Sequence, residues 1–252
     1  MADDRTARMQ TRHGLARILS KQGVCSRSEA ERLIRDGRVV LDGRVIRDPE
    51  FSASMSQHVI FIDGALITPS TRIHLMLNKP RGLVTTTADE RQRDTVYRCL
   101  DGAGLPWVAP VGRLDKASEG LLLFCNDPAW AAAITSPSTG PDKTYHVQID
   151  TIPDAIMLAR LTGGIDIEGT MFRAKSVTLL RAGQKNAWLE MVLDEGRNRQ
   201  IRRVLAACDI AVLRLVRVAI GSLQMGDLGK GAWRMLEPEE VQELHDSRQG
   251  DS

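Results

Sequence analysis

Clustered cysteine and histidine are what this chain most clearly lacks. Cys25, Cys99, Cys125 and Cys208 are scattered with no C-x-x-C among them, and His13, His58, His74, His146 and His245 are equally dispersed. That spacing excludes a disulfide framework and a paired zinc site, and it makes a reducing cytoplasm the expected location. Long apolar runs are missing too. Stretches such as "GLLLF" and "IAVL" fall far short of the roughly 20 residues that cross a bilayer, so no membrane partner is expected. The first residues, "MADDRTARMQTRHG", hold no apolar core of a secretion signal and read as a disordered lead-in. Nucleotide cradles of the G-x-G-x-x-G or G-x-x-x-x-G-K-[ST] kind are absent, which disfavours a kinase, an ATPase or a dinucleotide enzyme. The G-x-S-x-G elbow of many serine hydrolases is absent as well.

Charge is present but nearly balanced, at +2 overall. Its distribution is more informative. Arg12, Arg17, Lys21, Arg27, Arg32, Arg35, Arg38, Arg44 and Arg47 outnumber Glu29, Glu31, Asp36 and Asp42 near the start. Arg197, Arg199, Arg202, Arg203, Arg214 and Arg217 face only Asp209, while compensating acids such as Glu237, Glu239, Glu240, Glu243 and Asp246 gather in the tail. Two basic patches on a near-neutral molecule suit a phosphate backbone.

Two regions follow from the pattern. In the first, residues 12–63, Leu15, Ile18 and Leu19 recur at helical spacing and Gly23 follows as a stop. Ser26 with Glu29 forms a capping-box pattern opening a second helix with Ala30, Leu33 and Ile34 inward. Arg27, Arg32 and Arg35 lie off that stripe and are expected to meet phosphates. "VVLDGRVI" carries the Asp-Gly turn of a hairpin. Residues 64–72 read as a linker, and 73–246 as a second region. There "IHLMLNK", "GLLLFCND", "KTYHVQI", "AWLEMVL" and "AVLRLVRVAIG" read as strands joined mostly by short turns, with helices between. The expected class is α+β, a mixed and mainly antiparallel sheet with packed helices.

Within this frame Asp115 stands at the edge of a run that reads as a core strand. A desolvated carboxylate takes up a proton unless a cation is near. Arg202, one step round its predicted helix from inward Ile201, borders the apolar stripe and could supply that cation. Arg199 and Arg203 would share one side of the same helix and hold phosphates. Taken alone, Asp115 reads equally as a turn cap, Tyr145 as a core tyrosine on an alternating strand, and the arginines as a solvated helix face.

The combination of motifs decides more. The segment "GVCSRSEAERLIRDGRV" resembles the small S-four-type RNA-binding domain. "LNKPRGLVTT", "GRLDKASEGLLLFCND", "KTYHV" and "EGRNRQIRRVLA", in that order and followed by "LRLVRVAIGSL" and "GAWRML", resemble the ribosomal-RNA pseudouridine synthases that carry such a domain. The resemblance implies isomerisation of uridine to pseudouridine, with Asp115 as the catalytic aspartate. It implies Tyr145 as the residue stacking on the target uracil, Arg202 as the basic partner of the aspartate, and Leu215 as an apolar wall against the base. Arg113 would contact the flipped nucleotide or its phosphate. Arg199 and Arg203, with Arg17, Lys21, Arg27, Arg32 and Arg35 of the first region, would hold RNA. No cofactor or metal is expected, since isomerisation needs no donor. The expected partner is ribosomal RNA, with "EGRNRQIRR" leaning to the large subunit and "SPSTGPDKTYHV" to the small, and the chain is expected to be a monomer. The competing expectation is a non-catalytic RNA-binding or ribosome-assembly protein on the same fold.

Overall fold

A computed structural model of the chain describes residues 13–53, 58–68, 70–86 and 93–246, so most of the expected lead-in lies outside the described residues. The chain divides into two compact units. One runs to Arg72 and takes in Leu105–Val108 and Asn126–Pro128; the other holds the remainder.

The first unit runs β1 (His13–Gly14), α1 (Leu15–Lys21), α2 (Arg27–Arg35), β2 (Val39–Leu41), β3 (Arg44–Ile46), β4 (Ser52–Ala53), β5 (Ile60–Ile62) and β6 (Ala65–Leu66). Leu15, Ile18 and Leu19 of α1 pack with Ala30, Leu33 and Ile34 of α2 in one buried cluster. The Ser26 hydroxyl accepts from the Glu29 N–H at 3.1 Å, fixing the start of α2. Asp42 and Gly43 both have positive φ, 49° and 79°, as the tight turn between β2 and β3 requires. Arg27, Arg32 and Arg35 each take an acidic partner on the surface: Arg32 holds Glu29 at 2.6 Å, Arg35 holds Glu31 at 3.2 Å, and Arg27 holds Glu50 at 3.1 Å. The i,i+3 and i,i+4 spacing of acids on α2 makes such pairs almost unavoidable. Arg17 stays exposed, and Lys21 donates to His13 Nε2 at 3.2 Å.

The second unit runs β7 (His74–Lys79), a 3₁₀ turn (Val96–Leu100), β8 (Ala109–Val111), β9 (Glu119–Cys125), α3 (Pro128–Thr135), β10 (Lys143–Ile149), α4 (Ala155–Gly163), β11 (Ile165–Ile167), β12 (Thr170–Phe172), β13 (Ser176–Ala182), β14 (Ala187–Leu193), α5 (Gln200–Ala206), β15 (Val212–Ile220), β16 (Leu223–Gln224), β17 (Trp233–Met235) and α6 (Pro238–Asp246). Its main sheet is ordered β13-β14-β10-β15-β9-β7-β17, with β8 on β9 and β16 on β15. β9 and β15 run parallel and every other pair in it is antiparallel. The fold is α+β with a mixed sheet.

All seven residues of β9 are buried. That explains why "GLLLF" does not alternate: a central strand covered on both faces needs apolar side chains at every position. Leu121 and Leu123 pack with Met76, Trp130, Ile134 and Leu244. A second apolar cluster joins Val147 and Ile149 of β10, Leu189 and Met191 of β14, and Ile201, Val204 and Leu205 of α5. At the β9·β15 junction Gly120 sits at φ +101°, and a Cβ there would fall 2.2 Å from the Arg217 carbonyl oxygen. Only glycine allows the two strands this approach. Gly169, also at positive φ (+77°), would place a Cβ in open space. Gly120→Ala is therefore expected to cost about 3 kcal/mol or more, against about 1 kcal/mol for Gly169→Ala, read as shifts in the urea midpoint of this unit. Equal costs would contradict the junction's role.

Candidate active site

The turn that bears Asp115 is held from three sides. Thr85 Oγ1 donates to the Leu114 carbonyl at 2.8 Å and accepts from the Leu114 N–H at 3.3 Å. The Gly82 N–H donates to the Lys116 carbonyl at 2.8 Å, and the Ser118 N–H closes the turn on the Asp115 carbonyl at 2.9 Å. The third hold is the ammonium of Lys79, which is wholly buried. It donates to the carbonyls of Pro80, Asp115 and Ser118 at 3.1, 3.2 and 2.8 Å. Three donors meet three acceptors. Burial nevertheless pushes its pKa down to about 8, partly opposed by the negative charge of Asp115.

Asp115 opens into a cavity of about 620 Å³. Tyr145 of β10, Leu215 and Arg217 of β15, Lys143, Arg113, and Arg199 and Arg202 from the 195–202 segment also line it. The register between β10 and β15 shifts between Thr144 and Tyr145, a local irregularity that re-aims the strand beside the cavity. Six of the residues singled out in the sequence thus share one concavity: Asp115, Tyr145, Arg202, Arg113, Leu215 and Arg199. Arg203 does not line it. Its guanidinium lies 4.5 Å from the centre of the Phe172 ring and 3.9 Å from Glu168.

The cation at Asp115 is a correction. Arg199, not Arg202, makes the ion pair, at 3.4 Å. Arg202 is anchored on backbone, donating to the carbonyls of Ala117 at 3.3 Å and Val212 at 3.5 Å. Burial lowers its pKa, with Arg199 adding to this and Asp115 opposing. The reason is local backbone geometry. Arg199 adopts the left-handed conformation, φ 50° and ψ 31°, and α5 begins only at Gln200. Arg199 and Arg203 therefore do not share a helical face, and Arg199 swings back over the turn. The preceding segment ties itself in place: Glu195 takes Arg197 at 2.8 Å and the Gln200 amide at 2.9 Å, and Gln200 also donates to the Arg173 carbonyl at 3.1 Å.

Lys79 and Thr85, which grip the Asp115 turn, escaped sequence reasoning, and Arg217, counted in the sequence only as part of a basic patch, is buried in the cavity wall. The available signal for Lys79 was its place at the end of an apolar strand next to Pro80. Glu119 is a third buried charge beside Lys79 and Arg217. Arg214 grips it with two bonds of 2.8 and 2.9 Å and Lys230 adds one at 2.9 Å, which together hold its carboxyl down at about 2. Among the described residues no group of histidine, cysteine, aspartate and glutamate could hold a metal ion.

The family model for RNA pseudouridylate synthase matches residues 73–207, and that for the S4 domain matches residues 14–59. The chain belongs to the RNA pseudouridine synthase family. An uncharacterized RNA pseudouridine synthase of Rickettsia conorii is 39% identical over 225 residues, covering 89% of this chain and 96% of its own. One from Aquifex aeolicus is 33% identical over 237 residues, covering 90% and 92%. A crystal structure of a pseudouridylate synthase superposes with a TM-score of 0.65 at 28% identity, covering 92% of this chain and 99% of that one. The enzyme thus has the two-part organisation of these synthases. Among its described residues no helix is long and apolar enough to cross a membrane.

Lys79 gives this synthase a signed pH dependence. Its folded pKa lies below the ordinary lysine value of 10.5. Between about pH 8 and 10.5 the folded protein has therefore released a proton that the unfolded chain keeps, so stability from this group rises across that window. The unfolding free energy of wild type should gain on that of Lys79→Met as pH climbs from 8 to 10.5. Catalysis should move the other way, because a neutral amine has two protons for three carbonyls. A constant stability gap between the two proteins would contradict a buried ammonium.

Proposed function

We propose that this synthase isomerises uridine in ribosomal RNA, the large subunit being favoured by "EGRNRQIRR", with Asp115 as the catalytic residue. The observation that carries the reading is the convergence of Asp115, Tyr145, Arg199 and Arg202, drawn from three separate segments, on one cavity.

The chemistry asks for little else. The bond between the ribose C1′ and the ring N1 breaks, the uracil turns, C5 bonds to C1′, C5 gives up its proton to a base and so to water, and N1 takes one up. Atoms and electrons balance within the nucleotide, so no donor, oxidant or metal has to be supplied. The target base must leave its stack, which costs a few kcal/mol. Stacking on Tyr145 and packing on Leu215 offset that cost, since base–aromatic stacking contributes about 1–3 kcal/mol. Arg199 pairs with the Asp115 carboxylate at 3.4 Å and so restrains it at the cavity mouth. Arg202, immobilised on two carbonyls, adds positive charge behind it. Arg113 meets the extruded nucleotide at the rim.

Arg17 and Lys21, with Arg27, Arg32 and Arg35, hold the RNA backbone from the first unit. The ion pairs of the last three do not forbid this, because their guanidinium side chains are 58–61% exposed and such surface pairs contribute about 0–1 kcal/mol. Phosphate can displace glutamate there. Arg203, turned onto Phe172, is a brace for α5 in this reading and not a phosphate ligand. The synthase works as a cytoplasmic monomer on assembling ribosomal particles.

Release of tritium from RNA labelled at the uracil C5 tests the reaction. Wild type should release it with no added cofactor, and Asp115→Asn should be slower by at least about 10³-fold. Release by the variant at the wild-type rate would remove Asp115 from the chemistry. Mapping pseudouridine in ribosomal RNA from cells with and without the gene should show one or a few positions vanish; an unchanged map would exclude ribosomal RNA as substrate.

A further inference from the structure

Arg217 is a charged residue in the cavity wall with an unfilled bond. It is 5% exposed. It stands directly across the β10·β15 ladder from Tyr145, and on the other side of β15 it is in register with Gly120. Its Nε donates to the Leu121 carbonyl at 2.7 Å, which fixes the guanidinium plane. Its Nη2 is buried with no hydrogen-bond partner among the described residues. A buried donor left unsatisfied costs about 1–3 kcal/mol, more when charged, and native proteins keep few of them without a use.

Lys143 lines the same cavity two residues before Tyr145. It is half-buried and forms no ion pair within 4 Å among the described residues, since its neighbour Asp142 is taken by Lys175 at 2.8 Å. Burial and the nearby Arg217 lower its pKa, against the pull of Asp142 and Asp194. Two cations therefore face the cavity together on the strands that carry Tyr145 and Leu215. A neutral carbonyl of the base would satisfy the Arg217 donor yet leave the two like charges opposed. An anionic oxygen would do both.

We propose that Arg217 and Lys143 form an anion subsite that grips a phosphodiester of the RNA strand beside the extruded uridine. The inference rests on the proposed reaction for its setting, but it concerns binding and can fail separately. With the phosphate fixed at Arg217 and Lys143 and the ring on Tyr145, the nucleotide is held at two points, so its sugar is presented to Asp115 in one orientation.

The test uses the full chain and two readouts. The first is binding of a short fluorescein-labelled oligouridylate as a function of potassium chloride, for wild type, Arg217→Gln and Lys143→Gln. Each variant should weaken binding and flatten the plot of log K against log salt by about 0.7, the slope per phosphate contact on a single strand. The second is tritium release, where each variant should raise KM by about tenfold or more, and by a larger factor than it lowers kcat. Lys143→Gln, at a half-exposed position, keeps the test decisive should Arg217→Gln fold poorly. Unchanged salt slopes with either unchanged KM or a loss of kcat alone would overturn the subsite. Absence of tritium release from wild type would sink the proposed reaction, while the salt slopes would still decide the subsite.

Discussion

The ammonium of Lys79, shut away from water and shared among three carbonyl oxygens, is the contact on which the cavity's geometry depends. Two of those carbonyls belong to Asp115 and Ser118, the ends of a single turn. Removing a charge of this size from water costs several kcal/mol even after relaxation. Three charge-assisted hydrogen bonds return about 1.5–3 kcal/mol each. The pKa of about 8 reflects that burial, opposed only in part by the negative charges of Asp115 and Glu119. That cost is sustained because an apolar residue in its place would leave three backbone acceptors unsatisfied at the point where the carboxylate must be rigid.

From this pin the rest of the site is built outward along the sheet. β9 carries the turn, β15 lies parallel to it through the Gly120 contact, and β10 pairs with the far side of β15. The buried arginine and the tyrosine therefore face each other on paired strands, and the aspartate sits on the turn that leads into the strand on the other side of β15. Glu119, gripped by Arg214 and Lys230, secures the same junction from the other side. Side chains placed on strands are held more narrowly than side chains on free loops, and the Asp115 turn gains the same rigidity from Lys79 and Thr85. The 195–199 segment, also off the sheet, is held by its own bonds among Glu195, Arg197 and Gln200.

Much of this was legible in the sequence because local and global signals agreed. The Asp42-Gly43 turn, the Ser26 cap and the uninterrupted apolar run after Gly120 each specify one backbone outcome, and each is found. Asp115 and Tyr145 were identifiable because their flanking segments are distinctive. The pairing of Arg199 with Asp115 was not. It turns on one residue in the left-handed conformation, and nothing in "GRNRQ" marks where the helix begins. Arg217 was hidden for a different reason: on an alternating strand an arginine reads as outward, and only the sheet's layering shows that its face is the cavity wall. The glutamate partners of Arg32 and Arg35 follow from their i,i+3 and i,i+4 spacing on α2.

In the proposed reaction a uridine taken out of its stack enters the cavity, lies on Tyr145, and presents its sugar to residue 115. A crystal structure of the Asp115→Asn protein with an RNA containing the uridine it modifies tests that directly. The ring is expected against Tyr145 and Leu215 with C1′ within about 3.5 Å of the side chain at 115, a reactive separation. A complex in which that uridine stays stacked in the RNA, or binds with its sugar away from residue 115, would contradict it.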